Sequence, residues 1–341
     1  MSDDSRFEEL RGLLCRLGDF IRDTLIESRS QLSFHEAGKV VAETDADTIY
    51  AIDKVSETAI RDWFSQNWPS CFPVEVVMEG IGEDETLTFP EAIHVDQTLY
   101  KCILDPIDGT RGIMYDKRSA WMLAGVAPQR GKGTRLSDII VGAMTELPTS
   151  KQWRADQLSA VRGRGLVAEA VDVRSGEREP LRIHPSRAKD FRHGFASFAK
   201  FFPEGRALTA RVEERLWDTL YTLGSARSPV VFDDQYISTG GQFYEMIMGH
   251  DRLIADVRPF LMPLAGFPHL LPCHPYDVAA WPVLKEAGVI YESPSGDFPD
   301  APLDTVSPVS WIAYANATLA DLARPVIQQI LGEIGRDGLD S

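Results

Sequence analysis

Apolar residues recur at helical spacing near the start of the chain, where Phe7, Leu10, Leu14, Leu17, Phe20, Ile21 and Leu25 form one stripe. Side chains three, four and seven residues apart share a helix face, so the spacing predicts an amphipathic helix over 7–27. A second such pattern begins near Asp53, runs through Val55, Ala59, Ile60, Trp63 and Phe64, and stops before Pro69. The period then changes. Short β-branched or apolar runs at 74–78, 100–104, 120–126, 138–145 and 157–161 are separated by Gly, Pro and polar breaks, and each predicts a strand. Further on, helix and strand patterns alternate. Helices are expected at 209–223, from Gly240-Gly241 through Met248, at 277–287 and at 317–334; strands are expected at 230–232, 253–257 and 311–315. This order predicts an α+β N-terminal half with a largely antiparallel sheet, and an α/β C-terminal half. The change is placed near Ser186, after the turn-forming Arg174-Ser175-Gly176-Glu177, giving units 1–185 and 186–341.

Composition narrows the class. The 341 residues are 44% hydrophobic and 25% charged, as in a folded soluble protein with a large core. No apolar run approaches the roughly 18–20 residues of a membrane helix, so no membrane partner is expected. The start, MSDDSRFEEL, lacks the plan of a signal peptide, and a cytoplasmic location is expected. Four cysteines (Cys15, Cys71, Cys102, Cys273) lie far apart with no CxxC pair, which argues for reduced thiols over a disulfide framework or structural zinc. The net charge of −16 would repel a phosphate backbone, so no nucleic-acid polymer is expected. A small phosphate is a different matter, because bound divalent cations can reverse the sign inside an acidic cleft.

The chemistry concentrates in Asp105-Pro106-Ile107-Asp108-Gly109-Thr110, at the end of an apolar strand. Pro106 biases Asp105 toward extended backbone and removes one amide donor, while Gly109 permits a sharp turn. Two aspartates on such a turn, with the Ile107 carbonyl between them, can present oxygens to a hard cation such as magnesium. A helix or turn after Gly109 would aim the amides of Gly109, Thr110 and Arg111 at an anion.

The hexapeptide resembles the first motif of the inositol monophosphatase and fructose-1,6-bisphosphatase superfamily, the lithium-sensitive magnesium phosphatases. Tyr276-Asp277-Val278-Ala279-Ala280 with Glu286-Ala287-Gly288 is similar to a second family motif. Further likeness runs through Ala51-Ile52-Asp53-Lys54-Val55-Ser56-Glu57, Arg162-Gly163-Arg164-Gly165 and Ser238-Thr239-Gly240-Gly241, so the resemblance spans about residues 7 to 334. It implies a layered sugar-phosphatase fold, a phosphoric monoester hydrolase, two or three Mg2+ ions and a homodimer. Residue by residue, it implies that Asp105 bridges two ions, with Glu79 and the Ile107 carbonyl on the first and Asp108 and Asp277 completing the second. Asp277 is expected to start its helix as an N-cap. Thr110 and Asp53 would orient and deprotonate the attacking water, and Gly109, Thr110 and Arg111 would meet the phosphate.

Three departures bear on these roles. The family has two consecutive glutamates where this chain has Glu79-Gly80, which leaves Glu83 as the rival ligand. After Thr110 the chain reads Arg111-Gly112-Ile113, closer to the Lys-Gly-Phe of relatives that act on 3′-phosphoadenosine 5′-phosphate than to the Thr-Asn-Phe of inositol monophosphatases. Pro282 falls inside the helix expected at 277–287 and should kink it or shift its first turn. His274 and Cys273 beside Asp277 read as a packed pair, since magnesium prefers oxygen. The implied substrate is a small phosphate monoester, an inositol phosphate first, with 3′-phosphoadenosine 5′-phosphate or fructose 1,6-bisphosphate as alternatives. A phosphate-binding protein that keeps the fold without turnover is the alternative of another class.

Overall fold

The long stripe of the N-terminal helix is what attaches it to a sheet. The computed structural model describes residues 3–31, 40–43, 48–82, 85–91 and 93–337, without the side chains of 30, 31, 40–43, 48–56 and 337. In α1 (Asp3–Gln31), Leu10, Leu13, Leu14, Leu17, Ile21 and Leu25 are 0–3% exposed. Each buried aliphatic side chain of this kind contributes about 1.5–3 kcal/mol relative to exposure. A hairpin of β1 (Val40–Glu43) and β2 (Thr48–Tyr50) leads into α2 (Ala51–Asn67), whose Phe64 stacks on Phe89 with ring centroids 5.1 Å apart.

The main sheet follows. Its strands are β3 (Val74–Met78), β4 (Leu87–Phe89), β5 (Tyr100–Asp108), β6 (Ala120–Pro128), β7 (Val141–Leu147), β8 (Arg154–Val161), β9 (Leu166–Asp172) and β10 (Arg178–Pro180). The short helix α3 (Thr110–Met114) joins β5 to β6. The order is β10-β9-β8-β7-β6-β5-β3-β4, antiparallel throughout except where β3 meets β5. Along β5 every residue is buried, as a central strand covered on both faces must be.

Beyond Ser186 come β11 (Phe195–Phe198), α4 (Arg206–Tyr221), α5 (Thr239–Ile247), β12 (Asp251–Asp256) and α6 (Arg258–Leu264). The chain ends with α7 (Trp281–Ala287), β13 (Ile290–Glu292), β14 (Trp311–Tyr314) and α8 (Ala317–Asp337). The second sheet runs β11-β12-β14-β13, with only β11 and β12 parallel. The layers alternate. Helices α1 and α2 cover one face of the main sheet, α5 and α7 lie between the two sheets, and α4 and α8 close the far side. The core between the sheets draws residues from both sides of position 186. This is the layered α+β architecture that the motifs imply.

Several expectations change. The run at 230–232 is no strand; within it, only Phe232 bridges to Phe195. The Pro-rich stretch after Val257 holds α6, with Pro259 at the start, where the N–H it lacks would have had no helical partner. The helix expected from Asp277 begins instead at Trp281, so Pro282 sits in its first turn and Asp277 lies in the turn before it. A proline three or more residues inside would have clashed with the preceding turn, which is why the start moves to it.

The Glu286 segment holds a turn in place. The Glu286 carboxylate accepts hydrogen bonds from the Gly163 and Gly165 amides at 2.6 and 2.8 Å, clamping the β8–β9 connection onto α7. Glu286→Ala should lower stability by about 1–3 kcal/mol, since two amides lose their acceptor. Urea unfolding checks this, with Glu286→Gln expected to lose less.

Candidate active site

Two aspartates three residues apart on a regular strand point to opposite faces, yet Asp105 and Asp108 converge. The reason is a bulge. Asp105 pairs with Leu123 and Asp108 with Trp121, so β5 takes three steps where β6 takes two. One extra residue restores the same face, and Pro106, which has no N–H to pair, lies within it. Asp105 is 1% exposed and accepts the Ile107 amide on Oδ1 at 3.0 Å. Glu79, just past β3, donates its N–H to the Leu104 carbonyl at 3.2 Å and shares a side-chain hydrogen bond with Asp105.

Asp108 is held from the C-terminal half. Its Oδ2 accepts the Ser238 hydroxyl at 2.8 Å and the Gly240 amide at 2.5 Å. Ser238 is itself the N-cap of α5 and accepts the Gly241 amide at 3.0 Å, so one hydroxyl ties the helix start to the carboxylate. Gly109 has φ +95, and a Cβ there would stand 3.0 Å from the Ser238 Cβ, so glycine permits both the turn and this approach.

Asp277 is placed by the turn before α7, where its Oδ2 accepts the His274 amide at 2.6 Å. It is therefore not an N-cap, that position belonging to Ala280. One ligand atom from each of Asp105, Asp108 and Asp277 falls within 4.8 Å of the others. His274 stays out of that group. It is buried, bonded through Nδ1 to the Tyr276 hydroxyl at 2.9 Å and stacked on that ring, and Cys273 is buried beside it.

The charges in this cluster oppose one another. Burial, then the neighbouring Asp108 charge, pushes the Asp105 carboxyl well above the usual carboxylate range. Burial does the same for Asp277, with Asp108 again adding to it. Burial raises Asp108 to about 6 against the pull of its Gly240 and Ser238 hydrogen bonds. Arg258 counteracts the rise at Asp108 and Asp277. An all-oxygen donor set, buried and self-repelling, fits a hard divalent cation, which would relieve the repulsion.

These groups open on one cavity of about 100 Å³, which Glu79, Ile107, Gly109, Thr110 and Arg111 also line. The Thr110 hydroxyl donates to the Ile107 carbonyl at 2.8 Å. Asp53 lies in the first turn of α2, but its side chain falls outside the described residues, as does Glu83 entirely. Nearby Glu85 pairs with Arg61 at 2.7 Å.

Two participants have no assignment from sequence. Ser238 is legible only as part of the Ser-Thr-Gly-Gly run, and Arg258 only as an Arg-Pro pair after a strand. Removing an outer partner of a ligand typically weakens metal binding about 10–100-fold. If Asp108 holds a divalent cation, Ser238→Ala should weaken its binding about 10-fold or more in titration calorimetry with Mg2+, the fold persisting by circular dichroism.

No protein-family model and no curated protein matches the sequence. Solved structures do match in fold. The extragenic suppressor protein suhB from Bartonella henselae superposes with a TM-score of 0.62 at 15% identity, covering 95% of this chain and 98% of that one. Fructose-1,6-bisphosphatase from Leishmania major gives 0.61 at 13%, with 92% of each chain covered. An IMPase/NADP phosphatase complexed with Mg2+ and phosphate gives 0.60 at 11%, covering 94% and 95%.

Proposed function

We propose that this chain, which has the fold of the inositol monophosphatase and fructose-1,6-bisphosphatase superfamily, is a magnesium-dependent phosphomonoesterase acting on small phosphate monoesters. The observation that carries the reading is the convergence of Asp105, Asp108 and Asp277 on one buried cavity. Glu79, Asp105, Asp108, Asp277 and the Ile107 carbonyl would hold two or three Mg2+ ions. Bound magnesium supplies positive charge that acidifies a water and offsets the phosphoryl oxygens.

The chain's own groups do the rest. Thr110, whose hydroxyl donates to Ile107 and can also accept, would orient the water, and Asp53 would take its proton. The water oxygen forms the new bond to phosphorus as the bond to the leaving alcohol breaks, and the alcohol oxygen regains a proton. No phosphoenzyme is needed. Arg111 lines the cavity next to the turn and would contact the phosphate, a geometry that a guanidinium suits.

Phosphate release is the test, measured with and without millimolar Mg2+ on inositol 1-phosphate, fructose 1,6-bisphosphate, 3′-phosphoadenosine 5′-phosphate and glycerol 2-phosphate. Magnesium-dependent turnover of any supports the reading. Binding without turnover of all four would instead identify a non-catalytic phosphate-binding protein.

A further inference from the structure

The start of α5 carries two adjacent glycines, Gly240 and Gly241, although glycine is among the weakest helix formers. Two aromatic side chains explain the pair. A Cβ on Gly240 would stand 2.5 Å from the Trp121 Cβ, and one on Gly241 would stand 2.3 Å from the Tyr236 ring. Trp121 is set by the main sheet, because it pairs with Asp108 across β5 and β6. Tyr236 comes from the loop before α5 and has no sheet to hold it.

What holds it is a tie to the N-terminal half. The Tyr236 hydroxyl lies 2.8 Å from Ser119 Oγ and donates to the Ser119 carbonyl at 3.1 Å. Burial pushes that hydroxyl up to about 12, so it keeps its proton. Ser119 is buried and also shares a hydrogen bond with the buried Glu146 carboxylate. That carboxylate is fixed in turn by Gln152 Nε2 at 2.8 Å and the Asp156 amide at 3.1 Å. Beside them, Arg118 pairs with Asp234 at 2.7 Å and lies 5.0 Å from the Tyr236 ring centroid.

Residues 234 and 236 are thus fastened to 118 and 119, just before β6. The same segment then delivers Ser238 and Gly240, the donors that hold Asp108 Oδ2. The fit is close, since the Ile237 carbonyl would stand 3.2 Å from a Cβ on Gly109. A small shift of this turn would lengthen both hydrogen bonds to Asp108.

Building on the metal site of the phosphatase reading, we infer that Tyr236 is a positioning residue for that site. It does not line the cavity. Its tie to Ser119 sets the start of α5, and Ser238 and Gly240 then set the direction of the Asp108 carboxylate.

Two variants test this. Tyr236→Phe keeps the ring over Gly241 and removes only the hydroxyl, while Ser119→Ala removes the other end of the tie. Each should weaken Mg2+ binding about 10-fold in titration calorimetry, the low end for an outer partner of a metal ligand. Because both break one tie, the double variant should be little weaker than either. Glu286→Ala, whose clamp lies away from the cavity, is the control: it should lower the urea midpoint and leave Mg2+ affinity unchanged. If Tyr236 merely stabilises the fold, both variants should behave like this control. Unchanged affinity in either variant, or losses that add in the double one, overturns the inference and leaves the phosphatase reading standing. A wild type that binds Mg2+ yet releases phosphate from no ester sinks the phosphatase reading alone. One that binds no Mg2+ sinks both.

Discussion

Asp105→Asn is expected to reduce magnesium-dependent phosphate release by at least ~10³-fold, about 4 kcal/mol of barrier, while the protein still folds. Asparagine is nearly isosteric and keeps an Oδ1 to accept the Ile107 amide, so the bulge has no reason to change. What disappears is one negative charge from the buried cluster of Asp105, Asp108 and Asp277. Stability should move the other way. Burial and the Asp108 charge hold the folded-state pKa of Asp105 above its unfolded value, so its ionised form opposes folding at neutral pH. The metal-free variant should therefore melt higher than the metal-free wild type. Adding Mg2+ should raise the wild-type melting temperature, since the cation binds the folded state, and raise that of the variant much less. A fully active variant, or equal magnesium-induced shifts, would refute the proposed role of Asp105.

How much of this was legible depends on how local the cause is. The leucine stripe of α1 and the alternation of β3 are written in consecutive residues, and the structure follows them closely. The bulge in β5 is local too, since Pro106 removes the amide that regular pairing would use. Asp277 shows where local reading fails. An aspartate before Val-Ala-Ala looks like a helix cap, but Pro282 sets the helix start at Trp281 and leaves Asp277 in a preceding turn. The run at 230–232 looks like a strand by composition, yet it follows Ser228-Pro229 and meets β11 through Phe232 alone. Half-exposed β9 and three-residue β4, β10 and β13 carry too little apolar pattern to stand out. Ser238 and Arg258 reach the site only through tertiary packing across long stretches of chain, which no spacing along the sequence encodes.

Arg258 is where the largest loss of stability is expected. Asp256 is 0% exposed and Arg258 7%, and the guanidinium meets that carboxylate through Nε at 2.9 Å and Nη2 at 2.5 Å. Burying either charge alone is costly, so Arg258→Met strands Asp256 and should destabilise the protein by about 3–5 kcal/mol in urea unfolding. Arg258→Lys keeps the charge but not the fork, and should fall between. The informative variant is the double one. Asp256→Asn with Arg258→Met removes both charges, so most of the loss should return, leaving a large coupling term in the double-mutant cycle. If the double variant is as unstable as Arg258→Met, the altered packing at position 258, and not the stranded charge, is the cause.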